Sequence, residues 1–212
     1  MGIAERKERE KEQRKKDIIN AAERIFFTKG HENATMDDVA TEAELSKGTL
    51  YLYFKNKEDL YLAIHLRGNK ILRAMFEKAF DQNKTGLEKT KAIGRAYVEF
   101  YKTYPDYFNA LIYYESREID FKDQDSVATE CLMEGKTTLE LLIKSLEIGM
   151  KDGSIRSDLD PLKTALNLWG QTTGVIQIST LREKIVLLPN FSLTAEEVID
   201  YNFELIAHAL TN

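Results

Sequence analysis

Thr35 and Asp38 stand three residues apart, the spacing at which a hydroxyl, a carboxylate and two backbone amides exchange hydrogen bonds across the first turn of a helix. Ser46 can open a further helix shortly after. Free amides at such helix starts hold anions, so Thr35 and Ser46 mark two places for a phosphate oxygen. Lys47 and Thr49 follow in the first turn of the second helix, beside its free amides. Gly48 removes a side chain where a backbone must come close to a partner. Tyr51 and Tyr53 present hydroxyls on rings that also pack, and Lys57 adds a cation at the far end. The chemistry of this set is recognition of a polyanion and breaks no bond.

Residues suited to catalysis are scattered by comparison. His31, His65, His208 and Cys131 have no metal-ligand spacing, and a single cysteine forms no internal disulfide. Glu115 with Glu118 and Asp123 with Asp125 fall in or beside a polar stretch, where solvated carboxylates are the norm. Nucleophile-elbow and phosphate-loop patterns are missing. The expectation is a protein that is not an enzyme and carries neither cofactor nor metal.

The recognition set needs short helices to hold it. Ile18, Ile19, Ala22, Ile25 and Phe26 form one apolar stripe, and Gly30 stands where a helix ends. Met36, Val39, Ala40 and Ala43 give the next helix its apolar face, while Leu50 and Phe54 anchor the third in a small core. Two short helices joined by a tight turn are a helix-turn-helix. The run over residues 35–60 resembles the DNA-binding region of the TetR/AcrR family of repressors, through Ser46-Lys47-Gly48-Thr49-Leu50-Tyr51 and Tyr53-Phe54-Lys55-Asn56-Lys57-Glu58-Asp59-Leu60. The likeness covers residues 14–65 in detail. It implies phosphate or base contact by Thr35, Ser46, Lys47, Gly48, Thr49, Tyr51, Tyr53 and Lys57. Glu44 departs from the pattern, because the family usually has glycine at this turn.

Ahead of that head, residues 1–16 carry seven basic side chains against four glutamates, and pairs such as Glu5 with Arg9 have the i,i+4 order that extends a helix. A solvated terminus is the ordinary expectation for such a segment, and on DNA it can meet phosphates. The whole chain of 212 residues is acidic, at a formal charge of −5. With 43% hydrophobic residues it has enough apolar material for an ordinary core. It shows neither a secretory leader nor a run long enough to span a membrane, so a cytoplasmic protein is expected.

Three- and four-residue apolar spacing and only three prolines predict an all-α chain. The boundaries expected are a helix-turn-helix DNA-binding domain with a basic arm over 1–56, and an effector-binding and dimerisation domain over 57–212. A helix begins at Asn56, and others are expected near 87–103, 106–116, 126–151, 161–180 and 194–210; residues 185–188 alone read as strand. Tyr97, Phe100, Tyr101, Tyr104 and Phe108 are so many large aromatics in one region that a cavity or interface lined by some of them is expected. Trp169 joins them on a helix that, by the resemblance, faces this region. The effector implied is aromatic, cationic or amphipathic. Leu162, Leu166, Trp169, Val175 and Ile176, with Val198, Ile199, Tyr201, Phe203, Leu205, Ile206 and Leu210, exceed one buried stripe, and the resemblance implies that these last two helices pair with a second copy. The function read from the sequence is a homodimeric repressor, released from a near-palindromic double-stranded operator by a small-molecule effector. An all-helical protein-interaction adaptor without specific DNA binding is the rival.

Overall fold

The computed structural model describes residues 2–115, 127–184 and 194–211. Among them are nine helices: α1 (Ile3–Asn33), α2 (Met36–Glu42), α3 (Lys47–Tyr51), α4 (Lys57–Asp81), α5 (Gly86–Thr103), α6 (Pro105–Glu115), α7 (Val127–Asp152), α8 (Pro161–Lys184) and α9 (Ala195–Leu210). No described helix is long and apolar enough to cross a membrane. The strand expected at 185–188 and the carboxylates of Glu118, Asp123 and Asp125 lie outside the described residues.

Helix starts follow the side chains that cap them. Thr194 Oγ1 accepts from the Glu197 amide at 3.2 Å while Glu197 accepts from the Thr194 amide, so two amides left over at the start of α9 are satisfied. Asn56 Oδ1 accepts from the Asp59 amide at 2.7 Å and opens α4. Gly30, expected as the end of the first helix, has φ of 76°, and one more turn follows it before Ala34 caps back to the Gly30 carbonyl.

The chain packs as two compact units. The first comprises Met1–Lys70 and Tyr104–Glu134, the second Ile71–Thr103 and Gly135–Asn212. This division differs from the boundary expected at residue 56, because α4 is buried at every position from Leu60 to Leu66. A helix buried all round is core. Ile18, Ala22 and Phe26 of α1, Val39 of α2, Leu50 of α3 and Leu60 of α4 share that core with Ala110 of α6 and Cys131 of α7. Polar bonds tie the same helices: Arg67 of α4 donates to Asn20 and Glu23 of α1, and the Tyr107 hydroxyl of α6 donates to the other oxygen of Glu23.

His65 of α4 is 7% exposed, against the Tyr114 ring and 3.5 Å from the Asn69 amide nitrogen. Burial pushes its pKa down to about 4. The unfolded chain, with an ordinary imidazole, therefore takes up the proton first as pH falls. Stability from this site is intact above the ordinary histidine pKa and is lost as pH drops towards the folded value. Between pH 6.5 and 5 the loss should be about 2 kcal/mol. Urea unfolding of wild type and His65→Gln across that range tests this; parallel pH profiles would contradict it.

In the second unit, α5 and α7 touch backbone to backbone. A Cβ built on Gly86 would lie 1.9 Å from the Gly149 nitrogen, so only glycine fits the crossing. The Gly86 amide donates to Asp152 at 2.8 Å and Thr90 bonds Ser145 at 2.8 Å, both between α5 and α7. Helix α9 packs against α5 and against α8, and the Leu210 carbonyl at its C-terminus accepts from the Arg156 amide.

Candidate functional site

The capping residues expected at the interface do cap. Asp38 donates its amide to Thr35 Oγ1 and accepts from the Thr35 amide, each at 3.1 Å, which holds the start of α2. Hydrogen bonds from Lys29 and Thr35 hold the Asp38 carboxyl below its usual pKa. Ser46 Oγ accepts from the Thr49 amide at 3.1 Å and shares a bond with the Thr49 hydroxyl at 2.8 Å, which fixes both side chains at the start of α3. Between the two helices Glu44 adopts φ of 55°, so the chain keeps the left-handed turn without glycine, at a cost of about 1 kcal/mol.

Burial orients α3. Leu50 is fully buried, Phe54 lies in the core and Tyr53 packs half-buried against it. At 100° per residue the face opposite Leu50 and Phe54 is that of Gly48 and Leu52, flanked by Tyr51. A Cβ at Gly48 would meet only the Ser46 hydroxyl, at 3.9 Å, so the space in front of the helix is open. Leu52 is 83% exposed and Tyr51 43%. Leu52 was absent from the expected set because an apolar residue in this run reads as core. The helical wheel carries the missing signal, since residue 52 is turned about 200° from buried Leu50.

Lys47 and Lys57 have partners inside the protein. Lys47 pairs with Asp37 at 2.7 Å on the exposed surface, an arrangement that holds its ammonium above its usual pKa and that a phosphate can replace at small cost. Lys57 Nζ donates to the His31 carbonyl at 2.8 Å, closing the end of α1 onto the start of α4. Thr35, Ser46, Lys47, Gly48 and Tyr51 are exposed, while Thr49, Tyr53 and Lys57 are half-buried.

The second unit encloses a narrow cavity of about 50 Å³. Its walls are mostly apolar: Leu72 and Phe76 of α4, Ile93 and Tyr97 of α5, Leu142 of α7, and Trp169 of α8 among others. Phe203 of α9 closes it over Gly94, where a Cβ would come within 2.7 Å of the ring. Thr90, Thr138 and Thr172 supply hydroxyls and Lys91 one cation. Of the six aromatic residues expected to hold a ligand, the structure places Tyr97 and Trp169 on this wall. Phe100 is fully buried and Tyr101 half-buried, both away from the lining, and Tyr104 and Phe108 belong to the first unit. A residue spacing of three or four assigns a helix face without saying whether a cavity or a filled core lies beyond it, so the two kinds of aromatic look alike in sequence.

A family model described as bacterial regulatory proteins, tetR family, matches residues 18–64. Over 155 residues the chain is 34% identical to the HTH-type transcriptional regulator YhgD of Bacillus subtilis, spanning 72% of this chain and 76% of that one. A protein from Rhodococcus sp. RHA1 superimposes with a TM-score of 0.75 at 17% identity, over 94% of this chain and 95% of the other. FadR from Bacillus subtilis, solved with stearoyl-CoA, superimposes with a TM-score of 0.70 at 18% identity, over 92% and 98%.

Proposed function

The chain belongs to the tetR family of bacterial regulatory proteins, and from that premise we propose that it is a homodimeric repressor that leaves a near-palindromic operator when an apolar effector enters the α4–α9 cavity. One observation carries the proposal. Helix α4 starts at Lys57, directly behind the recognition helix, and the same helix supplies Leu72 and Phe76 to the cavity wall.

At about 50 Å³ the cavity has room for a few water molecules and not for an extended ligand. An effector must therefore push the walls apart, and α4 is one of those walls. A ligand that binds the widened state more tightly moves α4, and with it the recognition helices that must fit two successive major grooves. The apolar lining with a few hydroxyls and one lysine favours a hydrocarbon chain with a polar head. The stearoyl-CoA in the FadR structure supports an acyl-coenzyme A as the class to try first.

In the proposed operator complex, Gly48 lets α3 approach the base edges, Lys47, Thr49, Tyr51 and Leu52 read them, and Thr35, Ser46, Tyr53 and Lys57 hold phosphates. Leu52 suits the methyl group of a thymine. Selection of duplexes from a random-sequence library by the wild-type protein tests this reading. The expected product is an inverted repeat whose half-site centres lie about 34–36 Å apart, or a further turn or more away. Enriched sequences without dyad symmetry would overturn the dimeric reading, and no enrichment at all would return the chain to the adaptor reading.

A further inference from the structure

We propose that residues 3–16 form a second DNA-binding surface, a helical arm whose Lys7, Lys11 and Arg14 contact the phosphate backbone beside each half-site. The inference rests on the reading of the chain as an operator-binding regulator. It starts from a charge deficit. Residues 17–56, which hold the whole helix-turn-helix, carry seven carboxylates against four cations, a net charge of −3. Three of those cations are already paired: Arg24 with Glu42, Lys29 with Asp38, and Lys47 with Asp37. A duplex presents one negative charge per about 1.7 Å of its axis, and lysine and arginine contacts to it supply most sequence-independent affinity. The head alone is poorly charged for that task.

Residues 1–16 carry the missing charge, seven cations against four carboxylates, a net +3. They are also built to present it. Helix α1 runs without a break from Ile3 into the core, and every residue from Ile3 to Arg14 is exposed. At 100° per residue Lys7, Lys11 and Arg14 fall within about 60° of one another, on the face that further along buries Ile18 and Ala22. Glu5 and Glu12 are turned about 100° or more from every member of that stripe, and Glu8 stands about 60° from Lys11. Glu10 is held by Arg6 at 2.7 Å. The stripe thus continues outward along the side of α1 that carries the core of the head, with no carboxylate paired to Lys7, Lys11 or Arg14 among the described residues.

Two full-length variants test the arm: K7Q/K11Q/R14Q, which removes the charge, and K7R/K11R/R14K, which keeps it. Affinity is measured from 50 to 200 mM salt on a duplex selected by the wild type and on an unrelated duplex of equal length. Each lost phosphate contact lowers the slope of log affinity against log salt by about 0.9, so three contacts on each of two protomers lower it by about 5. Both duplexes should weaken alike in the glutamine variant, since phosphates carry no base information, and the charge-conserving variant should keep the wild-type slope. An unchanged slope in the glutamine variant overturns the arm and leaves the operator reading standing. A loss confined to the selected duplex also overturns it, while a wild type that binds neither duplex removes both readings together.

Discussion

On the proposed dimeric reading, Leu166→Glu should yield a folded monomer that binds operator about 10³-fold more weakly than the wild type. On α8, Leu162, Leu166, Gly170, Gly174 and Ile178 follow one another at intervals of four, and Leu162, Leu166 and Ile178 are 50%, 49% and 66% exposed. Nothing lies within 4 Å of a Cβ built at Gly170 or Gly174. On α9, Tyr201 and Leu205 repeat the spacing at 60% and 48% exposure. Rows of this period form the ridges by which helices interlock, and the two glycines leave a notch into which a facing ridge fits. A two-fold interface contains each substitution twice, so Leu166→Glu places two carboxylates in one apolar seam at several kcal/mol each. Losing the seam loses the linkage of two half-site contacts, which multiplies affinity by roughly 10² to 10⁴. Sedimentation with a gel shift gives the result, and circular dichroism confirms the fold. A Leu166→Glu dimer with undiminished operator affinity would show that the chain pairs through another surface.

Gly86→Ala should destabilise the second unit by at least about 3 kcal/mol. The added methyl carbon would lie 1.9 Å from the nitrogen and 2.2 Å from the Cα of Gly149, and 2.5 Å from the Ser145 carbonyl oxygen. All three neighbours are backbone, so no change of rotamer makes room, and α5 must withdraw from α7. That places the substitution at or beyond the upper end of ordinary overpacking. Withdrawal of α5 would also displace Thr90, Ile93 and Tyr97 from the cavity wall. Gly135→Ala, where a Cβ meets nothing within 4 Å in the interior of α7, is the matched control and should gain up to about 1 kcal/mol. Equal urea midpoints for Gly86→Ala and wild type would contradict the close crossing.

The elements were legible wherever local chemistry sets them. The hydroxyl caps at Thr35, Ser46 and Thr194 give the starts of α2, α3 and α9, and Pro105 and Pro161 stand at the starts of α6 and α8. Helices expected at 87–103 and 126–151 are found at 86–103 and 127–152. Long-range properties were harder to see. Lys57 reads as a free cation until the end of α1 brings the His31 carbonyl to it, and Glu23 becomes a joint only because Arg67 and Tyr107 converge on it. The cavity assembles side chains from five helices. Of its lining, Phe203 and Ile206 belong to the apolar set expected to meet a second copy, and the expected aromatic set divides between the two units.

The central claim, that effector and operator compete through α4, is tested most directly by measuring their coupling in both directions. Operator affinity is titrated with and without saturating members of a series from acetyl- to stearoyl-coenzyme A. The affinity of the most effective member is then titrated with and without saturating operator. Linkage requires one factor in both titrations, and a coupling of the usual size makes it roughly 5 to 150-fold, each partner weakening the other. Trp169→Ala, with the dimer intact, should lower acyl-coenzyme A affinity and leave operator affinity unchanged when no effector is present. A series that leaves operator binding unmoved, or an acyl-coenzyme A whose affinity is the same on free and operator-bound protein, would contradict the account.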